Sequence, residues 1–142
     1  MEAYTKTQIT ELLLNKRITH LADDVLTLED GTQLEVECTD YDCCASAGGT
    51  WYVGNTDSID ALITAVEITD PTCEHYDYES YQSHLSIILY HDGNLIAKNE
   101  VYADAGNGGY YYSVASLKVT KVNDEPVFIE LVISGEGSDY YE

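Results

Sequence analysis

A chain of 142 residues with 44% apolar content is long enough for one hydrophobic core and too short for two ordinary domains. Against 26 Asp and Glu stand 6 Lys and Arg, a formal charge of -20, which excludes an ordinary binder of nucleic-acid phosphates and docking on anionic lipid through a basic patch. The apolar content, with 13 Tyr, equally excludes a disordered chain.

In chain order, Thr5 with Gln8 three residues later has capping-box form, and Ile9, Leu12 and Leu13 follow on one helical stripe. This predicts a short helix over about residues 6–15. No apolar segment follows a basic one between Met1 and Thr10, and the longest nearby apolar run is Leu12-Leu13-Leu14. Neither a signal peptide nor a membrane span is expected, and the chain reads as intracellular. In a reducing compartment Cys38, Cys43, Cys44 and Cys73 read as thiols or ligands rather than disulfides.

Beyond residue 15 the apolar period becomes two. Leu26 and Leu28 precede Glu29-Asp30-Gly31, and Leu34 and Val36 follow it. A two-residue loop would put the two apolar sets on opposite faces. A three-residue loop ending at Gly31 in the left-handed region pairs Leu26 with Leu34 and keeps all of them on one face, so that hairpin is expected. Asp57 to Ile63 has the form of one helical turn capped by Asp57, with Asp60 at its third position, and Ala65 to Ile68 returns to strand. At His91-Asp92-Gly93 the same three-residue turn places Leu85, Ile87 and Leu89 on the face of Leu95, Ala97 and Val101. Tyr111 to Val122 is another strand, whose apolar phase slips between Val114 and Leu117 and predicts a bulge there. Val127, Ile129, Leu131 and Ile133 alternate as the last strand.

The expected fold is α+β: a mainly antiparallel β-sheet of six to seven strands with a short N-terminal helix, in a single domain. Its parts are the helix in residues 1–16, a β-rich body in 17–134 and an acidic C-terminal tail in 135–142. The segments least like regular structure are Thr39 to Gly49, Asp70 to Tyr81 and Asp104 to Gly109, and they hold nearly all of the distinctive chemistry.

Charge is lopsided as well as large. From Ile18 to Ala97 there is no Lys or Arg, against 16 Asp and Glu. A folded domain of this length is roughly 35 to 40 Å across. A DNA duplex of that length carries roughly 20 negative charges. Such a surface is steered onto the basic cleft of a nucleic-acid-handling protein and competes with the nucleic acid there. The plainer alternative is that the charge only keeps the protein soluble, or reflects a salt-loving host. The bulky apolar residues and β-branched strands argue against the latter.

Tyr76, Tyr78 and Tyr81 interleave with Asp77 and Glu79, a cluster suited to an interface because tyrosine offers large contact area at little entropy cost. Tyr110 to Tyr112 follow a glycine loop, and strand alternation packs at least one of these rings inward. The partner-binding candidates are Asp40, Asp42, Asp70, Glu74, Tyr76, Asp77, Tyr78, Glu79 and Tyr81. Cys43, Cys44, Cys73 and His75 form a candidate zinc set, although their spacing is not that of a zinc knuckle and small buried thiols account for the cysteines better. A Cys nucleophile activated by His75 or His84 is disfavoured, because an acidic surface suppresses the thiolate. Gly106-Asn107-Gly108-Gly109 lacks the helix and Lys of a phosphate loop, and Asp40 with Asp42 lacks calcium-loop spacing. No catalytic residue and no resident cofactor is expected.

Three pieces occur in order: Asp30-Gly31-Thr32, Asp42-Cys43-Cys44 and Gly108-Gly109-Tyr110-Tyr111. Together, over about residues 12–120, they resemble a family of small proteins carried by bacteriophages and prophages, with no assigned activity. The resemblance implies a compact β-rich domain of phage origin in the cytoplasm of an infected host, and transfers no catalytic residues. The helix, the 70–81 stretch and the last strand are this chain's additions. Duplex-like charge on a phage-like domain leads to the expectation of an inhibitor. It would mimic nucleic acid and block the basic nucleic-acid site of a host defence nuclease such as a CRISPR effector, without binding nucleic acid or membrane itself. A metal- or small-molecule-binding module without catalysis, or a virion or assembly component, are the alternatives.

Overall fold

The computed structural model of the protein describes residues 2–42, 45–53, 60–76, 80–106 and 112–134, with backbone alone for 73–76, 80, 81 and 134. Helix α1 spans Ala3–Leu13 and buries Ile9 and Leu13, one turn apart on the same stripe, with Leu12 packed beside them. It starts earlier than the sequence pattern predicts. Glu2 is the N-cap, makes no side-chain cap bond, and offers its carbonyl to the N–H groups of Thr5 and Lys6. Thr5 and Gln8 therefore lie inside the helix and form no capping box. The helix stops at Asn15, which takes a left-handed φ of 64° and donates its N–H to the Ile63 carbonyl at 2.8 Å.

The described residues form ten strands: β1 Ile18–Ala22, β2 Val25–Leu28, β3 Gln33–Tyr41, β4 Ser46–Val53, β5 Ala65–Ile68, β6 Thr72–Tyr76, β7 Ser80–His91, β8 Asn94–Asp104, β9 Ser113–Thr120 and β10 Val127–Ser134. The class is the expected one, mainly antiparallel sheet with one short N-terminal helix. The strands divide into two five-stranded sheets. One has the order β1-β2-β3-β9-β10; the other has β4-β8-β7-β5, with β6 also paired to β7. Strand β7 is long enough to hold two partners on one edge, β6 along Ser80–His84 and β5 along Ile87–Tyr90.

The first hairpin keeps the register that shared apolar facing demands. Leu26 pairs with Leu34, the Leu28 N–H donates to the Thr32 carbonyl at 2.9 Å, and Gly31 has φ 86°. The positive φ is what calls for Gly at this position; a Cβ there would also meet the exposed Val122 side chain, which can turn aside. The β7–β8 hairpin differs. Asp92 and Gly93 have φ 48° and 84° and form a two-residue turn between His91 and Asn94. Ile96 is then the extra residue of a bulge, after which Leu89 pairs with Ala97 and Leu85 with Val101. Leu95, opposite Tyr90, is consequently exposed rather than inward. Strand β1 had no apolar alternation to announce it. It is made by another two-residue turn, Asp23-Asp24, with both φ positive.

Strand β9 is an interior strand, between β3 and β10, and is buried without alternation from Ser113 to Leu117. That explains the slipped apolar phase: both faces are covered. The bulges expected near this point sit on its neighbours, at Thr39 of β3 and Leu131 of β10. The latter puts Val132 in the core. Asp60 sits in a turn with a left-handed φ of 70°, and Leu62 is bridged to Arg17; the rest of the predicted helical turn, including Asp57, lies outside the described residues.

The core fills the space between the sheets, with Leu34 and Leu117 from the first and Ile87, Leu89 and Val101 from the second. Trp51 is buried there and donates its indole N–H to the Leu34 carbonyl at 3.1 Å, tying β4 to β3. Among the described residues no helix is long and apolar enough to cross a membrane.

Candidate functional site

Backbone register brings seven strand ends to one end of the molecule. In the first sheet Tyr41 pairs with Ser113, which pairs with Ser134. In the second, Ser46, Asp104, Gln82 and Glu74 stand in one row across β4, β8, β7 and β6. The buried Ser113 hydroxyl joins the sheets, 2.9 Å from the carbonyl oxygens of both Ser46 and Asp104. Three of the expected binding positions, Asp40, Asp42 and Glu74, therefore meet at this end, and Asp104 joins them. Tyr76 and Tyr81 belong to the paired strands β6 and β7, opposite Ser80 and His75 respectively, rather than to an irregular loop. Asp77, Tyr78 and Glu79 lie outside the described residues.

Two of the carboxylates here, those of Asp40 and Asp104, are held by hydrogen bonds. Asp40 Oδ2 accepts a 2.9 Å hydrogen bond from the Tyr112 hydroxyl. That bond, followed by burial and the charges of Asp40 and Asp42, pushes the Tyr112 phenol above its usual range. The Asp42 N–H donates to the Tyr112 carbonyl at 2.9 Å. Asp104 accepts from Gln82 Nε2 at 2.8 Å and from the Gly106 N–H at 2.7 Å. Asp70 does not join the group. It lies beyond the other end of β6 and is paired to Lys6 at 2.6 Å, whose hydrogen bond and charge hold its carboxyl below the usual range.

Of the candidate zinc ligands, Cys43 and Cys44 lie outside the described residues, while Cys73 and His75 occupy β6, opposite Ser83 and Tyr81. Among the described residues no group of three or more His, Cys, Asp or Glu side chains is arranged to hold a metal. Cys38 is a half-buried thiol whose Sγ–H donates to the Asp40 carbonyl at 3.5 Å.

The cations lie elsewhere. Lys6 pairs with Asp70, Lys16 with Asp30, Lys98 with Glu100, and Lys118 with both Glu35 and Glu37. Arg17 donates to the Asp60 carbonyl at 2.8 Å. Lys121 follows the opposite end of β9. Neither the strand ends gathered around Ser113 nor the stretches 43–44, 77–79, 107–111 and 135–142 contain Lys or Arg.

Sequence reading missed the outer face of the second sheet. Tyr52 and Tyr102 are exposed there, beside Glu100, with Glu67 farther along the same face on β5. The signal was present as period two: Thr50 and Tyr52 alternate with buried Trp51, and Glu100 and Tyr102 alternate with buried Val101.

Residues 11–118 match the model of a family described as a domain of unknown function (DUF7448). The chain belongs to this family. The matched stretch runs from the second half of α1 to Lys118 of β9 and so contains both sheets apart from β10 and the last residues of β9. It also runs across residues 70–81. No curated protein and no solved structure matches the chain.

Proposed function

We propose that this protein is a phage-encoded anti-defence inhibitor that acts as an acidic mimic of nucleic acid. It occupies the basic nucleic-acid-binding site of a host defence nuclease such as a CRISPR effector. The phage origin rests on the resemblance carried by the Asp-Gly-Thr, Asp-Cys-Cys and Gly-Gly-Tyr-Tyr motifs.

The observation that carries the reading is the distribution of charge. A total of -20 equals about that of a duplex of the same length, and its few cations are kept away from one end. Asp40, Asp42 and Asp104 stand at that end, the carboxylates of Asp40 and Asp104 held by hydrogen bonds and Asp42 held through its main chain. Fixed carboxylates present a pre-organised array, so a basic cleft meets them without an ordering cost. Carboxylates stand in for phosphates, and tyrosine rings stand in for stacked bases. The protein does no chemistry in this role; it excludes the substrate by occupancy.

Affinity purification of the tagged protein from infected cells, read by mass spectrometry, tests this. The expected prey is a nucleic-acid-binding protein of the defence machinery, released as salt rises. Recovery of no such protein, or capture that ignores salt, refutes the proposal.

A further inference from the structure

Tyr102 and Glu100 of β8 point outward from the second sheet together with Thr50 and Tyr52 of β4 and Gln82 and His84 of β7. They surround a shallow hollow of about 360 Å³. Tyr52 and Tyr102 are 57% and 37% exposed, although both are large rings on regular strands whose inward neighbours are buried. Gly48 has no side chain, and the Tyr102 ring lies across that position at ordinary contact distance. His84 Nε2 is closed to solvent and has no hydrogen-bond partner among the described residues.

Three carboxylates frame the same face, each tethered. Asp104 is held by Gln82; Glu100 by Lys98 at 2.6 Å and by Ser86 Oγ at 2.9 Å; Glu67 by the Tyr90 hydroxyl at 2.9 Å. The one cation of the face, Lys98, is neutralised by Glu100. The face is therefore aromatic and net anionic. An arginine guanidinium stacks flat on tyrosine while its N–H fork engages a carboxylate alongside, whereas a lysine ammonium is a strongly hydrated point charge that does neither as well.

We infer that the outer face of β4, β8 and β7 is the docking surface, and that its partner is a basic protein surface presenting arginine side chains onto Tyr52 and Tyr102. This rests on the acidic-mimic reading and places contact on the sheet face beside the strand ends. Charge complementarity selects the occupant: a second copy of this chain brings the same negative charge, and a neutral surface leaves Asp104 and Glu67, which are tethered by neutral groups, without counter-charge.

The test is binding of the full chain to deca-arginine and deca-lysine peptides at two salt concentrations. Expected is tighter binding of deca-arginine, and a loss of about tenfold with removal of the arginine preference in the Tyr52→Ala, Tyr102→Ala double variant. The Tyr52→Phe, Tyr102→Phe variant, which keeps the rings, retains affinity within about twofold and controls for folding. A control pair on the β9–β10 turn, Asp124→Asn with Glu125→Gln, changes binding little. If the alanine variant binds like the wild type while the control pair weakens binding, the docking face is wrong and the mimic reading survives. If neither peptide binds in a salt-dependent way, both fall.

Discussion

The Tyr112 hydroxyl donates to Asp40 Oδ2 at 2.9 Å, linking the residue before β9 to the end of the neighbouring β3. The bond couples a phenol to the acidic end of the molecule, and the coupling has a sign. The phenol's folded pKa lies above its ordinary value of 10.0, so its contribution to stability is fully present below pH 10 and is lost as pH rises through the folded pKa. Ultraviolet titration of the tyrosines should place Tyr112 and the Glu67-bonded Tyr90 among the late-titrating phenols. Asp40→Asn moves the Tyr112 titration back toward its ordinary range and leaves that of Tyr90 in place.

Acid dependence has the opposite sign. The Lys16 hydrogen bond at 2.7 Å lowers the Asp30 pKa to about 2, with the Thr32 N–H helping. A depressed carboxyl pKa stabilises the fold above about pH 4 and ceases to do so as pH falls through about 2. Both side chains are more than a third exposed or close to it, so the pair contributes only about 0.2–1 kcal/mol. Asp30→Asn should lower the melting temperature slightly at pH 7 and not at pH 2. Equal destabilisation at both pH values would show that the turn geometry, and not the ion pair, is what the variant loses.

Gly49 of β4 lies against Asn99 and Val36. A Cβ there would fall 2.4 Å from Asn99 Oδ1 and 3.1 Å from Val36. Gly49→Ala should therefore cost about 1–3 kcal/mol in denaturant unfolding. Asn99 is wholly buried, and neither its side-chain N nor its O has a hydrogen-bond partner among the described residues. Removing its amide with Asn99→Ala relieves the clash, so the two substitutions should be non-additive by at least about 1 kcal/mol. Additive costs would show that Val36, not Asn99, is the obstacle.

Hairpin register and strand alternation were legible in the sequence wherever one face of a strand is buried, as at Leu26 with Leu34. They were not legible where a strand is covered on both faces, as β9 is, because the period-two signal vanishes there. The bulge near Val114 was foreseen and assigned to the wrong strand, since a phase slip in one strand is relieved equally well by an extra residue in its neighbours, Thr39 and Leu131. Turn type at Asp92-Gly93 was misread for a related reason: a two-residue turn with a bulge at Ile96 and a three-residue turn both bring Leu85, Ile87 and Leu89 onto one face with Val101. For the candidate site, the acidic residues near 40 were visible by composition. Tyr52 and Tyr102 were not, because a lone exposed aromatic on a strand looks like core until its two neighbours are known to be buried.

Trp51 is the sole tryptophan, and its burial against Leu34 makes it a reporter of sheet pairing. Its fluorescence should be blue-shifted in the native state and shift red in one transition coincident with loss of far-ultraviolet circular dichroism. Trp51→Phe leaves the Leu34 carbonyl without this donor and should cost about 1–3 kcal/mol. Separate transitions for the two probes would show that the sheets unfold independently.

The central claim is that the acidic surface occupies a site that otherwise holds nucleic acid. The direct measurement is capture of the tagged protein's partners from infected cells, followed by elution with duplex DNA in one arm and with rising salt in the other. The account predicts that a nucleic-acid-binding nuclease is captured and that both arms release it. A partner that stays bound in excess duplex DNA and high salt, or the absence of any such nuclease, contradicts it.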